Sequence, residues 1–358
     1  MSAQFAVILH GAVAADAPPD EQDVLVEVET VAQILGDLGF AAERLPLTLD
    51  LGAARQRLGE RRPAFVFNLV ETLAGCGRYI HLAPALLEEL GLRYTGAPLN
   101  ATFLTSNKLA AKQLLNLAGI PTPAWRLPTS KKGRDCPPPW IVKSVWEHAS
   151  IGLDDRSLTG KSADLQRLFA EKHARFGGDW FAERYIDGRE FNLALLAGQR
   201  GLEVLPPAEI VFRDFPAGKP KIVGYPAKWD ESAFEFHNTP RRFDFPDHDQ
   251  ALLETLKALA LRCADVFQLR GYARVDFRVD RHGQPWVLEV NTNPCLAPDA
   301  GFAAAVQQAG LTLHTAVARI VATALRLDKP GVERASARRG APRKPRAAAS
   351  AWPQPMAP

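Results

Sequence analysis

The stretch that decides the fold reads RVDFRVDRHGQPWVLEVNTNP and spans residues 274–294. At its centre stands His282-Gly283, a pair typical of a tight hairpin turn. Large apolar residues recur on both sides of this turn, as they do in strands with one buried face. The stretch therefore predicts two antiparallel strands, Arg274–Val279 and Pro285–Asn291.

The predicted hairpin brings acidic side chains together. Residues two apart on a strand share a face, so Arg274 lies beside Asp276, and Glu289 lies beside Asn291. With the turn at the centre, Asp276 is directly across from Glu289. Two carboxylates and an amide oxygen suit Mg²⁺, an ion that phosphoryl chemistry uses to bridge phosphate oxygens. The alternative is the solvated face of an edge hairpin, but a buried acidic pair needs a cation to be tolerated.

Charge is distributed unevenly along the chain. The 358 residues include 43 basic and 40 acidic residues, for a net charge of +3, and 47% are hydrophobic. These values exclude a disordered chain and predict two or three domains. Residues 329–358 hold seven basic residues and one acidic residue, so the preceding part carries −3. The basic excess belongs to a Pro-, Ala- and Arg-rich tail that we predict to be disordered, and we expect no nucleic-acid partner.

The remaining bulk features exclude several classes of protein. The four cysteines are far apart and form no CxxC pair, which argues against a zinc site or redox dithiol; they are Cys76, Cys136, Cys263 and Cys295. The first residues lack the basic region of a signal peptide, and no apolar stretch approaches the roughly 18 residues needed to span a bilayer. We therefore expect a cytoplasmic protein with no membrane partner.

Strands alternate with helices in the first hundred residues, which predicts a parallel α/β domain. We predict four domains or segments, namely 1–97, 98–179, 180–328 and the tail 329–358. The predicted strands are Phe5–Leu9, Ala64–Leu69, Trp140–Ser144 and further β segments between Trp180 and Val223, with a strand or turn at Arg93–Gly96. The predicted helices are residues 24–38, Pro84–Leu90, Ser106–Ala118, Asp164–Phe176, Leu252–Phe267 and residues 311–327.

The hairpin and several other motifs resemble the ATP-grasp ligases, and most closely the D-alanine–D-alanine ligases. ARVDF followed by LEVNTNP resembles their metal-binding segment, and GLRYTGAPLNA followed by SNKLAAKQLLNLAGIPTP resembles the join between their first two domains. Matching segments cover nearly all of residues 1–312 in the family's order. The resemblance implies an ATP-grasp fold of class α/β, with three domains, a parallel α/β N-terminal domain, and ATP between the second and third domains.

The resemblance also implies roles for individual residues. Two Mg²⁺ or Mn²⁺ ions would be held by Asp276, Glu289 and Asn291, with Arg274 facing the reacting carboxyl and phosphate groups. ATP would be bound through segments similar to WIVKSVWEHASIG, FAERYIDGREF and GYPAKWD. The implied phosphate contacts are Lys108, Lys143, Lys228 and the loop around Ser150, the adenine contacts are Glu183 and Ile186, and the ribose contact is Glu190.

The sequence departs from the family mainly where amino acids would bind. Of a Glu–Ser–Tyr set, the acidic member survives as Glu21, while Ala149 and Trp229 replace the hydroxyl-bearing partners. NLVETLAGCGR replaces the family's HGxxGEDG and introduces Glu71. These changes suggest different substrates, with a free amine held by carboxylates or by an aromatic face.

A second group of departures follows the metal segment. Cys295 stands where the family has a glycine. The family then has a serine that helps bind the second substrate's carboxylate, and near that position this chain has Ala300, with Asp299 beside it. Two purely structural interpretations stay open: Trp229 packs against the loop, and Asp299 caps the following helix.

The function implied is an ATP-dependent carboxylate–amine ligase that acts on amino-acid-like substrates through an acylphosphate. Arg274 and Lys228 would stabilise the developing charge, Glu21 would orient a substrate, and the loop around Ser150 would exclude water. Two alternatives remain, an authentic D-alanine–D-alanine ligase of peptidoglycan synthesis and a non-catalytic ATP-binding protein. Family members are often dimers, so a homodimer is also implied.

Overall fold

The computed structural model describes residues 4–129 and 136–326, so the predicted tail lies outside the described residues. A parallel three-stranded sheet, ordered β2-β1-β3, begins the chain. Its strands are β1 (Gln4–Gly11), β2 (Phe40–Leu47) and β3 (Phe65–Leu69). The helices of this part are α1 (Pro19–Asp37), α2 (Leu51–Arg61) and α3 (Leu82–Glu89). The predicted parallel α/β arrangement is confirmed.

Burial explains which of these strands and helices could be predicted from the sequence. All five residues of β3 are buried, and α1 packs an apolar stripe containing Val28, Val31 and Leu35 against that sheet. By contrast, β2 is an edge strand with mixed exposure, contains Pro46, and shows no apolar period. The pattern therefore gave no prediction of β2 or of α2, whose surface is mostly charged.

A four-stranded antiparallel sheet, ordered β4-β7-β5-β6, follows. Its strands are β4 (Trp125–Arg126), β5 (Trp140–Ser144), β6 (Leu158–Thr159) and β7 (Trp180–Arg184). The helices here are α4 (Leu99–Ser106), α5 (Lys108–Leu117) and α6 (Ser162–Phe176). Because β7 pairs with β5, this sheet extends five residues past the domain boundary predicted at residue 179.

The helix predicted over Ser106–Ala118 is in fact preceded by a separate helix, α4. Asn107 has an extended backbone, and its side chain accepts hydrogen bonds from the amides of Leu109 and Ala110, both at 3.0 Å. This N-cap ends one helix and begins the next, which fixes the position of Lys108 at the first turn of α5.

The third sheet is antiparallel and ordered β11-β10-β8-β12-β13, with β9 added to β8. Its strands are β8 (Gly188–Ala197), β9 (Leu202–Val204), β10 (Ala208–Ile210), β11 (Arg241–Arg242), β12 (Tyr272–Asp280) and β13 (Pro285–Asn291). The helices are α7 (Tyr225–Trp229), α8 (Phe234–His237), α9 (Gln250–Phe267), α10 (Gly301–Gln308) and α11 (Leu313–Arg326). Across the described residues, no helix combines the length and apolar character needed to cross a bilayer.

The hairpin of β12 and β13 has the predicted register at its functional end. Asp276 pairs with Glu289, and Arg274 pairs with Asn291. A bulge after Asp276 then shifts the pairing by one residue, so Phe277 lies opposite Val287. The predicted two-residue turn at His282-Gly283 is wrong, because the Asp280 amide donates to the Gln284 carbonyl at 3.0 Å and leaves a three-residue loop, 281–283. The bulge compensates for the extra loop residue and keeps the acidic pair in register.

Candidate active site

A cavity of about 540 Å³ lies between the four-stranded sheet and the third sheet. The loop after β5 and the segment around α7 complete its wall. Every predicted site residue except Glu21 lines this cavity: Arg274, Lys228, Ser150, Lys108, Lys143, Glu183, Ile186, Glu190, Asp276, Glu289, Asn291, Glu71, Trp229, Cys295 and Asp299. The roles assigned to them stay predictions, but the fold brings these residues to one place.

A buried ion cluster forms the inner wall near β5 and β7. Glu183 accepts from Lys143 at 2.5 Å through Oε1 and lies 2.6 Å from the Lys112 ammonium through Oε2. Lys112 also donates to the Thr122 hydroxyl at 2.8 Å. Although burial opposes ionisation of Glu183, the two lysines lower its pKa below the usual value. The sequence analysis did not identify Lys112 as a site residue, although it lies one helical turn after Lys108.

Two lysines add positive charge to the cavity without an acidic partner in direct contact. Lys108 is buried, and its ammonium donates to the Glu147 carbonyl at 2.5 Å. Lys228 makes no hydrogen bond or ion pair within residues 4–129 and 136–326. Burial lowers the pKa of both lysines, and a bound anion would offset that cost of keeping them charged.

The predicted ribose contact, Glu190, has a cationic neighbour. Its Oε2 lies 3.1 Å from Nε of Arg278, and burial raises its pKa against that attraction. Ile186 is buried in the same wall. An apolar residue beside a hydrogen-bonding carboxylate is a combination that suits a nucleoside, with its flat base and ribose hydroxyls.

The loop after β5 adopts a strained backbone over the cavity. Ala149 and Ser150 both have positive φ, at 55° and 61°, a conformation that costs free energy for residues other than glycine. The Ser150 hydroxyl donates to the Val223 carbonyl at 2.9 Å, and the Tyr225 amide donates to the Leu153 carbonyl at 2.8 Å. The strained loop is therefore fastened to the segment that carries Lys228.

Ala149 and Trp229, which the sequence analysis aligns with hydroxyl-bearing residues of the family, contact each other. The Trp229 indole nitrogen donates to the Ala149 carbonyl at 3.0 Å, so Trp229 does pack the loop. Tyr225, which the sequence analysis did not single out, donates through its hydroxyl to Asp20 at 2.8 Å. Glu21, next to Asp20, lies outside the cavity lining, and burial with nearby negative charge raises its pKa.

The predicted metal ligands meet where β12 pairs with β13. Both oxygens of Asp276 accept from Arg274, at 2.7 and 2.8 Å, and Oδ1 also accepts from Asn192 at 2.8 Å. Glu289 opposite has no hydrogen-bond partner among the described residues. Burial opposes its ionisation, yet the positive charges of Lys108 and its neighbours hold its pKa at about 2.

This donor set fits a divalent cation of the Mg²⁺ type. An ionised Glu289 without a partner, a second carboxylate opposite it and the Asn291 amide supply hard oxygens. A cluster of three or more His, Cys, Asp or Glu side chains suited to a metal does not occur in the described ranges. The site is thus unlike a zinc site and would complete its coordination with phosphate and water.

His148 is a cavity residue that the sequence analysis missed as a functional group. Both ring nitrogens are buried and lack a hydrogen-bond partner in the described chain. Burial and the positive charge of Lys108 lower its pKa to about 4, so the ring is neutral. Its place in WEHASIG, inside the predicted phosphate loop, was the available signal.

The opposite end of the cavity is acidic. The Cys295 thiol donates to Asp23 at 3.1 Å, and the Leu296 amide donates to the buried Glu27. Glu71 completes this group, and burial together with the negative charge of Asp23 raises its pKa to about 7. Burial and the surrounding carboxylates also raise the pKa of Cys295, which argues against a reactive thiolate.

A second guanidinium group lies near Arg274 at this end. Arg241 lines the cavity and donates to the Asp299 carbonyl at 3.3 Å, without an acidic side chain in ion-pair distance in the described residues. Its Nε lies 3.2 Å from the place where a Cβ of Gly301 would stand. Helix α10 is capped by Ala300 without a side-chain bond, so Asp299 does not cap it.

Comparison with known proteins gives consistent matches. A family model described as the D-ala D-ala ligase C-terminus matches residues 129–322. A D-alanine–D-alanine ligase of Synechococcus sp. (strain JA-3-3Ab) is 32% identical over 346 residues, covering 94% of this chain and 96% of that protein. An uncharacterized protein of Sinorhizobium fredii is 33% identical over 252 residues, covering 70% of this chain and 71% of that protein.

Solved structures share the fold. The D-alanine–D-alanine ligase from Bacillus anthracis complexed with ATP superposes with a TM-score of 0.68 at 21% identity, covering 90% of this chain and 98% of that one. D-alanyl-alanine synthetase A from Vibrio cholerae gives a TM-score of 0.69 at 16% identity, covering 91% and 99%. The ATP-grasp fold expected from the sequence is thereby confirmed.

Proposed function

Because the chain belongs to the D-alanine–D-alanine ligase family and is therefore an ATP-dependent ligase that forms C–N bonds, we propose that it joins two amino-acid-like substrates through an acylphosphate, in a pocket altered at its amino-acid end. One observation carries the proposal: Lys108, Lys228 and Arg274 converge with the Asp276–Glu289 pair in a single cavity. A cationic group beside a pair of hard-oxygen ligands is the arrangement that phosphoryl transfer needs.

The side chains divide the reaction between them. Glu183, Ile186 and Glu190 bind the nucleoside, and Lys108, Lys143 and Lys228 bind the triphosphate. Asp276, Glu289 and Asn291 would hold Mg²⁺, which would neutralise the negative charge of the phosphate groups.

Transfer of the γ-phosphoryl group to a substrate carboxylate gives the acylphosphate, and an amine then displaces phosphate. Arg274 and Lys228 face the position where negative charge develops on the acyl oxygen. The closed loop at Ala149–Ser150 excludes water, which protects the acylphosphate from hydrolysis.

The altered substrate end supports amino-acid-like substrates other than D-alanine alone. Its cavity-lining carboxyl groups, Asp23 and Glu71, suit an ammonium group, whereas Arg241 beside Arg274 suits a carboxylate. Opposite charges at the two sides of one pocket complement the zwitterion of an amino acid.

The test is ADP release with Mg²⁺ and a panel of D- and L-amino acids, with products identified by mass spectrometry. Wild-type protein should release ADP only with the correct pair and form a product lighter than the pair by one water. Asp276→Ala and Glu289→Ala should abolish release, whereas Glu254→Ala, on an exposed face of α9, should leave it unchanged. Equal ADP release in both acidic-pair variants would remove the metal assignment.

A second candidate function is an authentic D-alanine–D-alanine ligase. The observation in its favour is the Synechococcus relative of that name, which aligns over 94% of this chain. D-alanine as the only amino acid, giving D-alanyl-D-alanine at a rate no other pair exceeds, would decide for it. Nucleotide binding without turnover on any pair would instead support a non-catalytic protein.

A further inference from the structure

Glu71 is held firmly at the amino-acid end of the cavity, just past the carboxyl end of β3. The chain at Thr72 crosses so close to β1 that a Cβ on Gly11 would stand 2.5 Å from the Thr72 carbonyl oxygen. On the other side, the Asn293 amide donates to the Val70 carbonyl at 3.3 Å. Both contacts fix the backbone around Glu71, whose side chain lines the cavity wall.

The charged and titratable groups that face Glu71 come from four elements. From α1 come three carboxyl groups, Asp20, Asp23 and Glu27. From β12, α7 and the loop after β13 come Arg274, Tyr272, Lys228 and Cys295. Glu71 thus interacts electrostatically with the carboxyl groups Asp20 and Asp23 and with the cations Arg274 and Lys228. Throughout the described residues its carboxylate has no hydrogen bond or ion pair.

The three carboxyl groups from α1 are already engaged, unlike Glu71, and Asp20 accepts a hydrogen bond from the Tyr225 hydroxyl at 2.8 Å. Asp23 accepts a hydrogen bond from the Cys295 thiol at 3.1 Å. Glu27 is 1% exposed, accepts from the Leu296 amide, and does not line the cavity. Glu71 is therefore the carboxylate of this group that is both open to the cavity and free to take a proton.

Resting on the proposed function, we propose that Glu71 is the general base that deprotonates the ammonium group of the acceptor substrate before it attacks the acylphosphate. An acceptor amine is protonated in solution near neutral pH and cannot attack until it loses that proton. Burial and the negative charge of Asp23 raise the pKa of Glu71 to about 7, close to the value that suits a base at neutral pH.

The step balances in atoms and charge. The ammonium gives one proton to the Glu71 carboxylate and becomes a neutral amine. Its nitrogen then forms a bond to the acyl carbon, and the bond from that carbon to the phosphate oxygen breaks. The second proton of the amine leaves with the phosphate, so the products are an amide, hydrogen phosphate and a protonated Glu71.

The experiment separates formation of the acylphosphate from its use. The full chain is assayed with ATP, Mg²⁺ and the amino-acid panel, with and without hydroxylamine, which is largely uncharged at neutral pH and needs no base. Hydroxamate reports the acylphosphate, and the ligated product reports attack by an ammonium substrate. The variants are Glu71→Gln, the shorter base Glu71→Asp, and Glu60→Gln as an exposed glutamate control on α2.

Glu71→Gln should keep hydroxamate formation within about 2-fold of wild type while ligation falls about 100-fold or more, the range typical of a lost general base. Glu71→Asp should recover part of the ligation, and Glu60→Gln should match wild type. The wild-type ligation rate should rise with pH through about 7, a limb that hydroxamate formation lacks.

Two results would overturn this role. If Glu71→Gln loses hydroxamate and ligated product to the same extent, or ligates as fast as wild type, Glu71 is not the base. If wild-type protein forms neither product with any amino acid, the proposed function itself fails, and this role fails with it. Thermal unfolding and ADP binding of Glu71→Gln, both expected to be unchanged or improved, exclude a folding defect.

Discussion

The indole nitrogen of Trp229 donates a hydrogen bond to the carbonyl oxygen of Ala149 at 3.0 Å. Neither residue carries the hydroxyl group expected at its position from the family resemblance, yet the two positions still meet. The contact uses a backbone carbonyl, which any residue at position 149 provides. The loop that carries Ala149 is therefore joined to the segment that carries Trp229 without a hydroxyl group at either position.

Removing this hydrogen bond should loosen the loop. We expect Trp229→Phe to raise the KM for ATP about 2- to 10-fold, since one neutral hydrogen bond contributes about 0.5–1.5 kcal/mol. Steady-state kinetics with varied ATP measures the effect. The matched control is Trp286→Phe, because Trp286 also donates from its indole, to Asp280 at 3.1 Å, but lies outside the cavity lining. An equal change in the KM for ATP in both variants would contradict the role of the Trp229 hydrogen bond in holding the loop.

The buried cluster of Lys112 and Glu183 should contribute strongly to stability. Lys112→Met would leave Glu183, which is 1% exposed, with Lys143 as its remaining ion-pair partner among the described residues. We expect the free energy of unfolding to fall by about 3 kcal/mol, because the buried Oε2 of Glu183 loses the cation that lies beside it. Urea denaturation measures it.

A surface pair provides the control for that experiment. Lys257→Met breaks the pair with Glu254, which joins side chains on an exposed helix face at 2.8 Å. Its cost should stay below about 1 kcal/mol. Similar values for Lys112→Met and Lys257→Met would show that the buried cluster is not a stabilising unit.

The Glu289 carboxylate should make stability depend on pH. Its pKa is held at about 2 in the folded protein, below the usual value of 4.5, by Lys108 and neighbouring cations that outweigh burial. Its contribution is therefore present above pH 4.5 and is lost as pH falls toward 2. Since each unit of pKa difference between the unfolded and folded protein corresponds to about 1.36 kcal/mol, the ionised Glu289 contributes about 3 kcal/mol to the free energy of unfolding.

Comparing variants isolates this contribution. In Mg²⁺-free buffer, wild-type protein should be more stable than Glu289→Gln at pH 7, and the difference should shrink as pH decreases below 4.5. Glu231→Gln, an exposed glutamate, should show no such convergence. A constant difference between wild type and Glu289→Gln from pH 7 to 3 would contradict the depressed pKa.

Arg241 should select acceptors that carry a carboxylate. Arg241→Ala should raise the KM for an acceptor amino acid about 10-fold or more, because a charged hydrogen bond to the carboxylate is lost. The same variant should leave the KM for the corresponding amino-acid amide unchanged. Arg200→Ala, at an exposed turn, is the control. Equal effects on acid and amide would rule out the contact.

The sequence was sufficient for the two strands of the hairpin and for its acidic pair. A turn centred on His282-Gly283 and a side-chain period of two predict Asp276 opposite Glu289. That pairing is observed because the bulge after Asp276 compensates for the three-residue loop that the structure has instead. The bulge after Asp276 was not predicted, since the strand period of two carries no signal for an extra residue in one strand. Edge strand β2 was missed for the related reason that its exposed residues carry no apolar period.

Other parts of the site needed the folded chain. Lys112 looked like an ordinary helix lysine until packing placed its ammonium 2.6 Å from Glu183. Tyr225 had no visible role until its hydroxyl was found beside Asp20, 205 positions away in the chain. Local sequence patterns report on neighbours along a strand or helix, and they say nothing about such distant pairs.

By itself, the sequence determined the family, the hairpin that carries the hard-oxygen ligands, and the lysines available for phosphate. Those features follow from short-range geometry, since spacing along one strand or around one turn fixes which side chains share a face. The tertiary structure alone decided the acidic end of the cavity, where Cys295 meets Asp23 across 272 positions. Burial of α1 against the sheet and the return of the chain after β13 bring those groups together, and their mutual burial raises the pKa of Glu71.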